Sequence, residues 1–190
     1  YWSVSDGIRV GINTTKYFSL ATGVGRYTAN LCNFISKCKD GKDYYFYFPG
    51  YNSTCLAEIC ETQHAEQGML LRNNILRILW EQVLLPFKIR RDTLDLFHYT
   101  DHAMSLIKSK HPVVITVHDI AFVRFPGFLN KTRQIYKRSI MSLSIRRADV
   151  IIAVSQSTKR DIMELFKVDE KKIKVIYHGV ESRFRPISNV

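Results

Sequence analysis

The chain has 190 residues, of which 46% are hydrophobic, 12% aromatic and 24% charged. This length supports a sizeable core, and the apolar fraction is too high for a disordered chain. No apolar run has the roughly eighteen residues of a spanning helix. The net charge is +11, and residues 101–190 carry nine more Lys and Arg than Asp and Glu. A basic half is compatible with nucleic acid, an anionic membrane or phosphorylated ligands, and charge alone does not choose among them.

Short apolar runs alternate with helical patterns along the whole chain. Strands are predicted, in chain order, at 8–13, 44–48, 94–99, 112–118, 150–154 and 173–177. Helices are predicted at 25–38, 74–89, 131–147 and 158–166. The stretch 52–72 is ambiguous, with a short helix and a short strand around 69–71 expected there. Because the strands are near-continuous apolar runs, the pattern predicts a doubly wound α/β domain with a mainly parallel sheet.

Polar or glycine-rich segments follow several of these strands. Ligands of a doubly wound sheet bind beyond the carboxyl ends of its strands. The sequence therefore predicts that four segments share one crevice. These segments are 13–25, 98–102, 118–119 and 155–157.

Two glycines, Gly23 and Gly25, open the first predicted helix. Glycine there lets the backbone approach a ligand, and a helix N-terminus offers free N–H groups and a positive dipole to phosphate. A dinucleotide fingerprint would need a third glycine where Thr28 stands, and an acidic residue after the second strand where Phe48 and Pro49 stand. The pattern therefore disfavours an NAD site, and a plain glycine turn is the alternative to a phosphate site.

Histidines lie at two of the predicted strand ends. His118 follows a strand directly, so we expect it to face the crevice, where an imidazole can bind a hydroxyl or move a proton. The alternative is a histidine that only satisfies a backbone carbonyl. His98, Asp101 and His102 could indicate a metal, but they lack the glutamate of a metalloprotease helix. Ordinary loop polarity is the favoured interpretation of these three.

Two helices carry further signals. Ser155 is predicted to cap the helix that follows it, with Ser157 as the rival cap. Whether Ser155 also contacts a ligand is open at this stage. The helix 74–89 combines basic residues such as Arg77 with apolar ones such as Trp80. A membrane-surface face is one interpretation; a core helix with a solvated basic edge is the favoured one.

Five segments in register resemble retaining glycosyltransferases of family 4, formerly group 1. Each is weak alone, but together they cover almost the whole chain in the right order. The segments are the glycine loop 22–28, the stretch 97–100, the stretch 117–120 with Phe125 and Pro126, the "R-A-D-x-I-x-x-V-S" stretch 147–155, and 172–186. In the last of these, His178 replaces a more common Asn.

The resemblance implies one half of the two-domain GT-B fold. Residues 1–185 would form its Rossmann-like, acceptor-side domain and 186–190 would begin the interdomain linker. The C-terminal nucleotide-sugar-binding domain is expected to be absent, so the chain alone should not turn over. The implied activity is retaining transfer of a sugar, with mannose the first candidate, from a nucleotide-sugar to a glycan or lipid-linked acceptor, without a metal or other cofactor.

The resemblance also implies roles for single residues. His118 would be the catalytic residue beside the transferred sugar. The expected substrate-binding residues are Gly23, Gly25, Arg26, Tyr27, His98, Asp119 and Ser155. The expected location is the cytoplasm. Given the basic half, an anionic membrane surface is a further candidate partner, which would place the protein at the inner face of the membrane. No recognised nucleic-acid-binding motif is present, so nucleic acid is not expected as a partner. The alternative function is a non-catalytic glycan- or partner-binding module.

Overall fold

The computed structural model describes residues 7–17, 21–38, 40–49, 64–67, 74–125 and 131–180. The strands in these ranges are β1 Arg9–Asn13, β2 Asp43–Phe48, β3 His64–Gln67, β4 Leu96–Tyr99, β5 Val113–Val117, β6 Val150–Ala153 and β7 Ile173–Val175. They form one sheet in the order β3-β2-β1-β4-β5-β6-β7, and all neighbouring strands are parallel. The predicted doubly wound α/β fold is confirmed.

Helices connect these strands. The α-helices are α1 Gly23–Ile35, α2 Asn74–Leu79, α3 Leu85–Arg91, α4 Ala121–Arg124, α5 Lys131–Arg147 and α6 Gln156–Phe166. A π-helical turn, Trp80–Leu84, joins α2 to α3, and a 3-10 turn, Glu170–Lys172, precedes β7. In the described ranges, none of the helices is long and apolar enough to cross a membrane.

Apolar layers cover both faces of the sheet. On one face, Phe46 and Phe48 of β2 pack with Ile12 of β1 and Cys32 of α1. Tyr47, between the two phenylalanines, belongs to the layer on the other face. That second layer also includes Leu85, Ile89, Phe97, Ile115, Met141, Ile145, Ile151 and Ile162. Coverage on both faces explains why the strands read as continuous apolar runs.

The chain reverses its direction of winding between β1 and β4, which lie side by side. Such a switch point opens a crevice at the carboxyl ends of the strands. The two strands also pack closely here, because a Cβ at Gly11 would lie 2.5 Å from Phe97 Cδ2 and 2.6 Å from Leu94 Cδ1. Gly11 is therefore required by the packing of β1 against its neighbour.

Helix α1 begins two residues earlier than the predicted start at Gly25. Thr22 is its N-cap, and the Thr22 hydroxyl accepts a hydrogen bond from the Gly25 N–H at 3.1 Å. Both glycines therefore lie in the first helical turn rather than in a preceding loop. A threonine cap stabilises a helix start. The start was predicted too late because the apolar periodicity of the helix does not extend into its glycine-rich first turn.

The predicted helix 74–89 is interrupted by the π-helical turn. Pro86 lacks an N–H and cannot donate to the carbonyl four residues earlier, that of Gln82. The turn widens instead, so that the Leu85 N–H donates to the Trp80 carbonyl. The Gln82 carbonyl accepts from the Ser105 hydroxyl at 3.1 Å. One proline thus explains both the π turn and a contact with the loop after β4.

The outer face of this helical stretch is largely apolar, in addition to the exposed basic residues Arg90 and Arg91 at its end. Trp80, Leu85, Pro86 and Ile89 are buried. Four other apolar side chains of the stretch, spaced four residues apart, are exposed, and we call them the exposed ridge. Its members are Ile75 (73% exposed), Leu79 (45%), Val83 (36%) and Phe87 (52%). The helix packs its core face as predicted, and it presents a second apolar face to solvent.

Other elements differ from prediction in smaller ways. Strand β3 lies at His64–Gln67 and was not predicted, whereas the strand expected around 69–71 falls outside the described residues. Helix α4 was not predicted. Helix α5 has the predicted bounds; Ile135 and Tyr136 in its first half are exposed, whereas Ile140, Met141 and Ile145 in its second half are buried.

The ends of the last two elements also differ. Helix α6 begins at Gln156 rather than Thr158, because Ser155 and not Ser157 is its N-cap. Strand β7 ends at Val175, and the Ile176 N–H makes one more bond to the Ala153 carbonyl before the chain turns toward the crevice.

Candidate functional site

Hydrogen bonds connect three of the four predicted crevice segments, those at 13–25, 98–102 and 118–119, at the carboxyl edge of the sheet. The Thr100 hydroxyl, after β4, donates to the Asn13 carbonyl at 2.9 Å and accepts from the Thr28 hydroxyl of α1 at 3.0 Å. His118, after β5, donates from Nε2 to the Thr100 carbonyl at 2.9 Å. Thr100 is 1% exposed. A buried threonine therefore joins β1, α1, β4 and β5 beneath the crevice.

This arrangement fixes the tautomer of His118. Because a carbonyl can only accept, Nε2 carries the hydrogen and Nδ1 presents its lone pair. No group in the described ranges pairs with Nδ1, and the ring is only partly buried. His118 thus does satisfy a backbone carbonyl, as the alternative interpretation expected. It also keeps one nitrogen open to a ligand hydroxyl.

Two further rings pack on His118. The Tyr27 ring of α1 meets it edge to face, with centroids 4.8 Å apart, and the His178 ring does so at 5.3 Å. Tyr27 and His178 stack on each other at 5.0 Å with an interplanar angle of 24°. Burial, together with the nearby His118, lowers the pKa of His178. The Tyr27 and His178 rings together hold the His118 imidazole in one orientation.

His98 lies below the crevice rather than in it. The side chain is 9% exposed, and its Nε2 pairs with the Thr116 hydroxyl at 2.8 Å. Burial and the neighbouring His118 lower the pKa of His98 to about 4, so it is neutral at pH 7. The Thr116 hydroxyl also lies 3.4 Å from the Tyr27 hydroxyl. His98 therefore supports Tyr27 from below through the Thr116 hydroxyl, and its own side chain does not lie in the crevice.

The first turn of α1 lies at the rim of the site. Gly23 is exposed, and a Cβ there would meet nothing within 4 Å. Gly25 is buried, and its N–H is used by the Thr22 cap. Arg26 is exposed on the same turn. Of the two glycines, Gly23 is the one whose backbone is open to a ligand.

Asp119 and Ser155 hold the loops that carry them. The Asp119 carboxylate accepts from the Ala121 N–H at 3.1 Å and so fixes the start of α4. The Ser155 hydroxyl accepts from the Thr158 N–H at 3.0 Å as the cap of α6. The structure gives both side chains a local capping partner, and substrate contact by either stays a prediction.

The metal interpretation of His98, Asp101 and His102 gains no support from geometry. His98 is turned into the sheet, whereas the Asp101 carboxylate accepts hydrogen bonds from the neighbouring His102 in the loop after β4. In the described part of the chain, no three His, Cys, Asp or Glu side chains are gathered as metal ligands.

Sequence reasoning missed some residues of the site. His178 entered only as a departure from the common Asn, and Thr100 entered only as part of a motif. Both contact His118. A polar residue directly after a strand was the available signal for Thr100. For His178 no local signal exists, because the chain turns into the crevice only after leaving β7.

Most of the chain is similar to known proteins. The family model described as Glycosyltransferase Family 4 matches residues 21–184. Over 82 residues the chain is 34% identical to the O-antigen chain mannosyltransferase RfbU of Salmonella typhimurium. This match covers 43% of this chain and 22% of RfbU. Over 73 residues it is 36% identical to an uncharacterized glycosyltransferase of Methanocaldococcus jannaschii, covering 38% of this chain and 18% of that protein.

Solved glycosyltransferases share the fold at low sequence identity. A glycosyltransferase from Rickettsia africae is 20% identical with a TM-score of 0.50, covering 92% of this chain and 44% of that one. The lipopolysaccharide outer core galactosyltransferase WaaB is 13% identical at 0.54, covering 91% and 46%. Anabaena HepE, solved with UDP and glucose, is 16% identical at 0.55, covering 91% and 45%. The chain thus spans less than half the length of these structures.

Proposed function

This chain belongs to glycosyltransferase family 4, and from that premise we propose that it is the acceptor-side half of a retaining GT-B enzyme. The enzyme transfers a sugar, with mannose the first to test, from a nucleotide-sugar to a glycan or lipid-linked acceptor. The observation that carries this proposal is the open Nδ1 of His118 at the carboxyl edge of the sheet. One similar protein is named a mannosyltransferase and one structural neighbour a galactosyltransferase, which supports a hexose as the transferred group.

In the proposed mechanism His118 is a binding and orienting group. Its Nδ1 accepts a hydrogen bond from a hydroxyl of the transferred sugar, while its Nε2 hydrogen stays on the Thr100 carbonyl. The Tyr27 and His178 rings prevent the imidazole from turning. Fixed orientation lowers the barrier by removing reorganisation at the moment of reaction.

The first turn of α1 is the proposed site of approach for the donor diphosphate. Its 13-residue helix directs a positive dipole end toward the crevice, and the exposed Gly23 backbone leaves room for an oxygen of the diphosphate or of the sugar. Charge that develops on the leaving diphosphate is stabilised there. No metal or other cofactor is part of this proposal, and unchanged turnover after treatment with EDTA would agree with it.

Diphosphate release tests the half-enzyme proposal. The 190-residue chain is compared with a version extended by the C-terminal half, using UDP-glucose, UDP-galactose and GDP-mannose. We expect nucleoside diphosphate only from the extended version, and a product with the anomeric configuration of the donor. Turnover by the 190 residues alone would contradict the proposal. Transfer that is unaffected by His118→Ala would favour a non-catalytic, glycan-binding role for this domain.

An anionic membrane surface is the partner that we propose for the exposed ridge, with the enzyme at the inner face of the cytoplasmic membrane. Ile75, Leu79 and Phe87 present apolar groups on successive turns. Exposed Arg90 and Arg91 follow at the end of α3. Apolar side chains beside basic ones suit the headgroup region of an anionic bilayer.

Vesicle co-sedimentation tests this partner. The chain is mixed with vesicles of equimolar phosphatidylglycerol and phosphatidylcholine at low salt. We expect binding that falls with added salt and is lost in a Leu79→Ser, Phe87→Ser double variant. Phe34→Ser is the matched control, because Phe34 is 72% exposed on α1, over the opposite face of the sheet. Equal binding by the ridge variant, or a chain dimer that this variant dissociates, would contradict the proposal.

A further inference from the structure

A second polar group lies at the carboxyl end of β4, in the loop that follows Thr100. The Asp101 carboxylate accepts from His102 twice, from the backbone N–H at 2.7 Å and from Nδ1 at 2.7 Å. Lys16, after β1, places its Nζ 3.9 Å from the other carboxylate oxygen. The pair therefore stands at the β1–β4 switch point, on the same edge as His118.

The geometry leaves one nitrogen of His102 open. Because Nδ1 carries the hydrogen that Asp101 accepts, Nε2 presents its lone pair. Both side chains are only 16% exposed. Within the described ranges, no polar group pairs with this Nε2. The Phe122 ring of α4 lies 5.5 Å from the imidazole and helps to fix its plane. A largely buried imidazole with a fixed tautomer and an open acceptor is a prepared binding group.

Asp101 is charged in this setting. Burial by itself would raise the pKa of the carboxyl, but the pairing with His102 and the nearby Lys16 hold it well below its ordinary value. A carboxylate that accepts from Nδ1 keeps the hydrogen on that nitrogen. The function of Asp101 toward a ligand is therefore to set which nitrogen of His102 is free.

Among the residues that the structure describes, the charges around the pair nearly cancel. Glu81 of the π-helical turn interacts electrostatically with Lys16, Arg77, Asp101 and His102, and its burial raises the pKa of its carboxyl. Lys16 and Arg77 balance Asp101 and Glu81 in formal charge. A phosphate would find no net positive charge here, whereas a neutral ligand with hydroxyl groups fits a polar but balanced site.

We infer that His102 Nε2 binds a hydroxyl of the acceptor sugar, with Asp101 as its positioning residue. The inference rests on the proposed function, which puts the acceptor on this domain. The acceptor hydroxyl donates its hydrogen bond to Nε2, as the donor sugar does to His118 Nδ1. The two histidines, each tied down through one nitrogen, divide the edge between acceptor and donor.

The kinetic test uses the extended enzyme and its identified donor. In His102→Ala we expect the KM for the acceptor to rise at least tenfold, and the ratio of sugar transfer to donor hydrolysis to fall by a similar factor. His102→Gln, whose side chain can place an acceptor near the Nε2 position, should restore part of that ratio. A change in kcat alone, or no rescue by Gln, would identify a merely structural hydrogen bond between Asp101 and His102 and overturn the inference.

A binding test on the 190-residue chain is independent of catalysis. Saturation-transfer NMR with millimolar methyl α-mannopyranoside and methyl β-galactopyranoside should show contact that is reduced at least fivefold in His102→Ala. His111→Ala is the matched control, because His111 donates to the Ile89 carbonyl at 3.1 Å but precedes β5, at the opposite edge of the sheet. Absence of contact in the unaltered chain, or an equal reduction in both variants, would overturn the inference.

The kinetic and binding tests distinguish a failure of the proposed function from a failure of the acceptor site. If the extended chain releases no diphosphate but glycoside contact depends on His102, the proposed function fails and the sugar site stands. If diphosphate is released normally and neither KM nor glycoside contact responds to His102→Ala, the acceptor site fails and the proposed function stands.

Discussion

The two edges of the sheet use similar polar side chains to different ends. At the amino edge, the Asp95 carboxylate accepts from the Arg9 N–H at 2.7 Å, and the Asp95 N–H donates to the Arg9 carbonyl at 2.9 Å. Asp149 makes the same two bonds to Val113, at 2.7 and 2.9 Å. Each aspartate closes the start of a neighbouring strand and satisfies backbone groups that the sheet leaves unpaired.

At the carboxyl edge, some side-chain nitrogens have no hydrogen-bond partner among the described residues. His118 and His102 each have one nitrogen bound by a neighbour and one that no group in the described ranges occupies. The comparison teaches that a polar residue at a strand end is not by itself a site residue. Satisfied atoms indicate a structural role, and an oriented but open atom indicates a place for a ligand.

The largest effect is expected from His118→Ala in the extended enzyme. Loss of the group that orients the transferred sugar should reduce kcat/KM by about 10²-fold or more. The free energy of unfolding should fall by only about 1 kcal/mol, since one hydrogen bond to Thr100 is lost. Diphosphate release and urea unfolding measure the two quantities. If activity were lost only because the variant no longer folds, the proposed difference between a structural amino edge and a ligand-binding carboxyl edge would be contradicted.

The second effect concerns pH and the floor of the crevice. The folded-state pKa of His98 is about 4, below its ordinary value of 6.5. The unfolded chain therefore binds more protons, so this contribution to stability is present above about pH 6.5 and is lost as the pH falls toward 4. Between about pH 7.5 and 5 we expect a loss of about 2 kcal/mol. Urea unfolding of His98→Gln should lack this part of the pH dependence, and an unchanged pH profile would contradict the assigned burial.

A pair of aspartate variants compares the edges directly. Asp149→Ala leaves the Val113 N–H without its partner, and should lower the free energy of unfolding by about 1 kcal/mol with little effect on kcat/KM. Asp119→Ala removes the bond to the Ala121 N–H beside His118, and should lower kcat/KM more than stability. The same stability and activity response from both variants would break the comparison.

The smallest effect on stability is expected from Gly23→Ala. A Cβ at that position meets no atom within 4 Å, and alanine favours a helix over glycine. Stability should stay equal or rise by up to about 1 kcal/mol, while binding of the donor diphosphate weakens. Gly11→Ala is the control, since its Cβ would overlap Phe97 and destabilise the chain. Thermal unfolding and isothermal calorimetry with the donor check both quantities.

Much of this architecture could be predicted from sequence because its signals are local. The apolar runs at 113–117 and 150–153 indicate buried parallel strands, and polar residues directly after a strand indicate the crevice edge. The π-helical turn was not predicted, although Pro86 marks its cause, because periodicity alone treats 74–89 as one regular helix. The exposed ridge was missed because sequence analysis assigns an apolar residue on a helix to the core, and only the structure gives its exposed fraction.

The sequence by itself determined the layered α/β fold, the order of its elements and the loops that follow its strands, since spacing and composition act over a few neighbours. Only the tertiary structure decided which atoms of those residues stay open. His118 is oriented by Thr100, 18 residues away, and Thr100 by Asn13, 87 residues away. Tyr27 meets His178 across most of the chain. Hydrogen-bond partners at such distances are set by the packing of the sheet, which is why tautomers, burial and the division of the edge between two histidines had to be seen in the fold.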